Sequence, residues 1–199
     1  MSNLVQIAYL ISSILFIIGI KFLGKTKDAR KGNVISAVGM LVAIAATLVN
    51  LNLATFPEML AAMLLGGAIG LYYAKKVEMT QIPEMVALFN GFGGLASLGV
   101  ALSDHFLKTQ VQSVEIDMVN SVSIIASVLI GGVTFTGSVV AWLKLNGKMS
   151  GQPITFKGQH ALNLILLIAF VVIAVFTHLN QVDPMYITLL VVVSLLVGI

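Results

Sequence analysis

Two stretches of this chain carry polar side chains inside otherwise apolar runs. In PEMVALFNGFGGLASLGVAL, residues Asn90, Gly94, Ser97 and Ala101 follow one another at spacings of four, three and four. That rhythm places them on one face of a helix. In SIIASVLIGGVTFTGSVVAW, residues Ser127, Gly131, Thr134 and Ser138 repeat the same spacing. Where the surroundings are lipid, such groups find no hydrogen-bond partner and must face a protein interior or water. Close helix packing is one explanation, because small residues let backbones approach and hydroxyls bond nearby carbonyls. Packing suits Gly94, Ser97, Ser127 and Gly131, and also Ala62, Gly66 and Gly70 of an earlier run. Asn90 differs, since an amide brings two donors and two acceptor lone pairs that packing alone leaves idle. Counted from the ends of their runs, Asn90 lies about 10 Å deep and Ser138 about 6 to 9 Å deep, so the two can meet at one level.

A titratable relay is missing from this pattern. His105, His160 and His178 fall at predicted run ends or in connections, and no carboxylate falls in mid-run. Glu58 and Glu84 each follow a proline at a run's start, where the helix dipole favours an acidic side chain. Proton movement through such a chain requires a titratable group from a partner or from a further C-terminal part. Soluble-enzyme chemistry is poorly represented. The string Gly91-Phe92-Gly93-Gly94 sits inside an apolar helix with no strand before it, which excludes a dinucleotide-binding fingerprint. No HExxH, P-loop or nucleophile elbow occurs, and no metal site is expected. The absence of cysteine removes disulfides and thiolate ligands.

The elements that position these residues follow from composition. Of the 199 residues 58% are hydrophobic and 10% charged, against about 25% charged in ordinary soluble domains. The mean hydropathy is +1.04. Apolar runs of roughly 16 to 24 residues are too long for strands and match the ~20 that a helix needs to cross a bilayer. The chain therefore reads as an all-α integral membrane protein, a bundle of about seven transmembrane helices. These are placed near Leu4 to Phe22, Asn33 to Leu51, Pro57 to Ala74, Pro83 to Leu102, Asn120 to Leu143, His160 to Thr177 and Pro184 onward. Prolines at three starts cost nothing there, because the missing N–H has no helical partner. The first run has no Lys or Arg before it, unlike a secretory signal, and reads as a retained helix.

Charge orients the helices. Lys21, Lys25, Lys27, Arg30 and Lys31, then Lys75 and Lys76, then Lys144, Lys148 and Lys157 occupy alternate connections; the opposite ones hold only Lys108 of the eleven basic residues. Basic residues collect on the cytoplasmic side, so the N-terminus is expected outside, in the periplasm of a bacterial inner membrane. The net charge of +3 is a topology signal with no aromatic-interleaved basic stripe, and nucleic acid is excluded as a partner. A single membrane domain over 1–199 is expected.

Three strings add a family resemblance. KKVEMTQIPEMVALFNGFGGLASL (Lys75 to Leu98), IGGVTFTGSVVAWLKLNGKMSGQP (Ile130 to Pro153) and KGQHALNL (Lys157 to Leu164) together resemble the membrane part of the beta subunit of proton-translocating NAD(P) transhydrogenase. The resemblance implies a translocase that couples hydride transfer between NADH and NADP+, on separate soluble domains, to proton passage through the membrane. It implies that the chain is a C-terminally incomplete proton-channel domain. It further implies alpha-type partner subunits supplying more membrane helices and the NAD(H) domain, an NADP(H) domain beyond the C-terminus, and a homodimeric assembly in lipid. No cofactor is expected on this chain, and no redox catalysis by it alone. By position, Asn90 stands where some members carry a histidine central to proton transfer, and Ser138 matches a serine lining the channel. Thr134, Ser127 and Ser97 are further candidates for the path. An amide cannot exchange a proton near neutral pH, so Asn90 is expected to orient water or a neighbouring imidazole. The alternatives are an ion-coupled secondary transporter with its site between Gly-interrupted helices, or a purely structural membrane subunit.

Overall fold

A computed structural model describes residues 3–25, 27–50, 56–111, 115–153 and 155–199. Among them it contains helices and no strands. The helices are α1 (Asn3–Leu23), α2 (Ala29–Asn50), α3 (Phe56–Lys76), α4 (Ile82–Phe106), α5 (Met118–Leu145), α6 (Gln159–Leu179) and α7 (Pro184–Val197). Six of them are long and apolar enough to span a membrane, and α7, with 14 residues, is shorter. At 1.5 Å per residue α7 reaches about 21 Å, less than the ~30 Å hydrocarbon layer. With so much apolar surface facing outward on long helices, the chain is an all-α integral membrane protein.

The ends of the helices follow from local chemistry. Asp117 caps α5 by accepting the Asn120 N–H at 2.8 Å, and Asp183 caps α7 by accepting the Met185 N–H at 2.9 Å. Each satisfies an amide that has no carbonyl one turn back. Pro83 and Pro184 occupy first-turn positions. At the other end of α5, Gly147 takes φ 72°, a left-handed conformation that costs a glycine little and lets the Lys148 N–H return to the Leu143 carbonyl at 3.0 Å.

Two boundaries differ from the sequence expectation. The fourth helix does not stop near Leu102: it continues to Phe106 and then through a π-helical turn, Leu107–Val111. Polar residues keep the turns bonded there. Asp104 accepts from Lys108 at 2.8 Å, and Thr109 Oγ1 donates to the His105 carbonyl at 2.8 Å. His105 is therefore a helical residue, only 3% exposed, rather than part of a connection. The second helix begins at Ala29, so Arg30 and Lys31 belong to its first turn.

The chain divides into two compact units, residues 1–76 and 77–199. In the first, α1 and α2 pack together through small residues. A side chain on Gly32 would meet the Gly19 carbonyl, and one on Gly39 the Ser12 carbonyl, at 2.7 and 3.2 Å. Ser12 Oγ, buried in this seam, donates to the Gly39 carbonyl at 2.8 Å, and the Tyr9 and Thr47 hydroxyls share a bond of 2.9 Å. Close approach with interhelical hydrogen bonds is how membrane helices associate where lipid removes the hydrophobic drive. Helix α3 is exposed along almost its whole length, and a side chain at Gly66, Gly67 or Gly70 would meet nothing within 4 Å. Its small face, read from sequence as a packing face, has no neighbour among the described residues.

The second unit is built around α5, which runs antiparallel to α4 and parallel to α7. Leu98, Ala101, Ile116, Ile124, Val128, Phe170, Ile187 and Leu190 form its buried apolar cluster. On α7, Ser194 is fully buried against Gly132 of α5, and Gly198 lies against Val133 and Thr136. Helix α6 packs on α7, with the Phe176 and Tyr186 rings stacked at 5.8 Å.

Candidate functional site

The polar site grows out of a close helix crossing in the second unit, that of α4 and α5. Gly94 and Gly131 face one another so closely that a side-chain carbon on either would stand 2.8 or 2.7 Å from the other's carbonyl oxygen. A turn nearer the start of α4, Gly91 lies against Ser138, whose Cβ would be 3.1 Å from a side chain placed there. Glycine is required at this crossing because two backbones occupy the room that a side chain would take. With the helices drawn together, Asn90 Nδ2 donates to Ser138 Oγ at 2.8 Å across the gap.

The two partners have different surroundings. Ser138 is 7% exposed, inside the seam. Asn90 lies on an exposed edge of α4, its Oδ1 directed to no hydrogen-bond donor among the described residues. The bond uses one amide donor and one hydroxyl acceptor, which leaves the Asn90 carbonyl oxygen and the Ser138 hydroxyl proton for other partners. Asn90 sits about 12 Å beyond the first residue of α4 and Ser138 about 10 Å before the last of α5, so the pair occupies one level.

A second polar tie closes the same end of the seam. Asn146, which follows α5, donates through Nδ2 to Glu84 Oε2 at 2.7 Å. Sequence reading assigned Glu84 only to the helix dipole. It does lie in the first turn of α4, but antiparallel packing also brings the residue after α5 beside it. That pairing was legible once α4 and α5 were taken as antiparallel neighbours, since both residues sit at the ends that then meet. At this end Lys148 Nζ lies over the Trp142 ring, 4.9 Å from its centroid.

The other candidates are placed differently. Thr134 is half-buried and packs beside Gly94. Ser127 is half-buried further along α5, about 16 Å from Ser138 by helical rise. Ser97 is exposed and shares the edge that carries Asn90, since seven residues separate them. The buried face of α4 is Gly91, Gly94, Leu98, Ala101 and His105, so the expected shared face of Asn90, Gly94, Ser97 and Ala101 divides into a seam and a flanking edge. The structure brings Asn90 and Ser138 into contact and leaves Ser97 and Ser127 apart from them.

At the opposite end of the unit, side chains tie the two helix pairs together. Gln181, between α6 and α7, grips Ile116 with both ends of its amide: Oε1 accepts the Ile116 N–H at 2.7 Å and Nε2 donates to the Ile116 carbonyl at 2.8 Å. Gln110 Nε2 donates to the Val182 carbonyl at 2.6 Å. His105 is buried beside this knot, edge-on to Phe106 at 5.5 Å, and its Nε2 has no hydrogen-bond partner among the described residues. Like His178 in α6, it lies beyond the helix end expected from sequence and within the helix that forms.

Comparison with known proteins bears on this arrangement. A family model described as NAD(P) transhydrogenase beta subunit matches residues 5–199. NAD(P) transhydrogenase subunit beta of Rhodospirillum rubrum is 35% identical over 162 residues, which is 79% of this chain and 35% of that protein. The protein of the same name from a designated strain of Rhodospirillum rubrum matches to the same extent. The chain thus spans about a third of the length of the curated relatives that it matches.

Proposed function

The chain belongs to the NAD(P) transhydrogenase beta subunit family, and we propose that it is the membrane part through which a proton-translocating NAD(P) transhydrogenase passes protons. In this reading, hydride transfer between NADH and NADP+ takes place on soluble domains outside the chain and is coupled to proton passage past α4 and α5. Alpha-type subunits supply further membrane helices and the NAD(H) domain, an NADP(H) domain follows in the longer polypeptide, and the assembly is a homodimer. The protein resides in a bacterial inner membrane with its N-terminus in the periplasm. Gly91 and Gly94 are taken up by helix packing against Ser138 and Gly131, so that glycine string is not a phosphate-cradling turn. The transporter and structural-subunit alternatives draw no support from the family match.

One observation carries the proposal, the hydrogen bond from Asn90 to Ser138 across the α4–α5 seam. The bond fixes the amide so that its carbonyl oxygen faces outward, where it accepts a hydrogen bond from water or from a partner's imidazole. Ser138 both accepts from Asn90 and holds a proton that it can donate, so the pair passes hydrogen bonds across the gap between α4 and α5. Neither group changes charge near neutral pH. The carrier is a titratable side chain from a partner subunit, set against the exposed edge of Asn90.

The test is the ratio of protons pumped to hydride transferred by the complete assembly in proteoliposomes. Asn90→Leu removes the amide at similar volume, and coupled pumping is expected to fall at least tenfold while protein abundance stays within twofold. Ser123→Ala is the control. That hydroxyl lies on an exposed stretch of α5 and bonds its own helix at Val119, and its removal should leave the ratio unchanged. A wild-type ratio from Asn90→Leu would return the pair to a packing role.

A further inference from the structure

The connection from α1 to α2 concentrates positive charge. Lys21, Lys25, Lys27, Arg30 and Lys31 lie within eleven residues, with Asp28 as the one carboxylate. Lys31 pairs with Asp28 at 3.2 Å. Lys27 and Arg30 are exposed and form no ion pair among the described residues. The helix gives no compensation, since Arg30 and Lys31 occupy the first turn of α2, which contains no acidic residue. The dipole repels cations at that end.

Lys27, Arg30, Lys31, Val34 and Ile35 line a depression of about 520 Å³, within the range of small-molecule sites. Arg30, Lys31, Val34 and Ile35 share one side of α2, turned away from the Gly32 and Gly39 face that packs on α1, with Lys27 just ahead of the first turn. The same face continues along α2 as an aliphatic stripe: Val34, Val38 and Leu41 are 58%, 45% and 65% exposed. Cations therefore stand over an open depression at the start of α2, and the exposed aliphatic stripe leads from it into the membrane-spanning part of the helix.

We propose that this depression and the stripe beyond it form a binding site for an anionic phospholipid, its phosphate between Lys27 and Arg30 and an acyl chain along Val34, Val38 and Leu41. The two halves of the ligand match the two halves of the site. Basic clusters at the membrane end of a helix attract anionic headgroups, and the stripe offers the chain an apolar track. A soluble acidic protein surface could meet the cations but could not follow the stripe into hydrocarbon. The inference rests on the membrane character of α2 and is independent of the proton path.

Its test is native mass spectrometry of the complete assembly in detergent, titrated with phosphatidylglycerol or phosphatidylcholine. Wild type should retain phosphatidylglycerol in preference to phosphatidylcholine. The Lys27→Gln, Arg30→Gln double variant should weaken phosphatidylglycerol binding roughly 30-fold, the effect of removing two cations beside an anionic headgroup, while proton pumping per hydride is retained. If the double variant fails to assemble, Lys27→Gln alone, ahead of the helix, should weaken binding about fivefold. Three results overturn the proposal: equal retention of phosphatidylglycerol by wild type and variant, equal retention of the two lipids by wild type, or displacement of the lipid by an equal concentration of glycerol 3-phosphate. The last would reduce the site to a phosphate cluster with no role for the stripe. Loss of a protein subunit from the variant with lipid binding intact would assign the cations to an acidic partner instead.

Discussion

Ser138 is the side chain on which the packing and polar roles of the seam separate. Its Cβ fills the space beside Gly91, while its hydroxyl receives the Asn90 amide. Ser138→Ala keeps the first and removes the second. The Asn90 donor it frees is on an exposed edge, so the stability loss should stay near the ~1 kcal/mol of an ordinary hydrogen bond rather than that of a buried orphan. Proton pumping by the reconstituted assembly should nevertheless fall severalfold. Ser138→Val should behave differently, because added methyl groups meet the Gly91 backbone and overpacking costs about 1 to 3 kcal/mol. Thermal unfolding alongside pumping distinguishes the two, and a pumping defect that simply tracked stability across both variants would remove the hydroxyl from the path.

Among the elements, the α4–α5 pair depends on which face of each helix turns inward, and neighbouring glycines test this. An alanine methyl at Gly94 would press on the Gly131 carbonyl at 2.8 Å, whereas at Gly93 it meets nothing within 4 Å. Alanine is the better helix former by about 1 kcal/mol, so Gly93→Ala should be neutral or slightly stabilising. Gly94→Ala should lower thermal stability by about 1 to 3 kcal/mol despite that gain, since neither backbone can yield without moving a helix. Equal effects at the two positions would mean that the helices do not cross here. Much of this level was legible in the sequence, because apolar runs mark the helices and antiparallel order brings Asn90 and Ser138 to one depth. The azimuth of each helix was not. A spacing of four, three and four defines a face without saying where the partner lies, so Ser97 was grouped with Gly94 although the seam is centred on Gly91, Gly94 and Leu98. The extension of α4 was hidden for another reason: Ser103, Asp104 and His105 read as a polar connection until the bonds from Lys108 and Thr109 carry the turns onward.

At the scale of the whole molecule, the distribution of basic residues predicts a direction across the membrane that can be measured at each unit separately. The end of the second unit that holds the Asn90 and Ser138 pair also carries Lys144 and Lys148, whereas the opposite end carries Lys108 bound to Asp104. Lys25 and Lys76 lie on the other two basic connections. If the positive-inside tendency sets the orientation, all three basic connections face the cytoplasm and the Asn90 level lies in the cytoplasmic third of the bilayer. The chain has no cysteine, so single cysteines report without background. Lys25→Cys, Lys76→Cys and Lys148→Cys should resist a membrane-impermeant maleimide in intact cells and label after permeabilisation. Glu115→Cys, on the exposed segment before α5, should label from outside at once. The positions test one another: uniform inversion of the four would turn the protein over and move the Asn90 level to the periplasmic third. Labelling of Lys148→Cys and Glu115→Cys from the same side would be a stronger contradiction, since α5 joins those two positions and could not then cross the membrane.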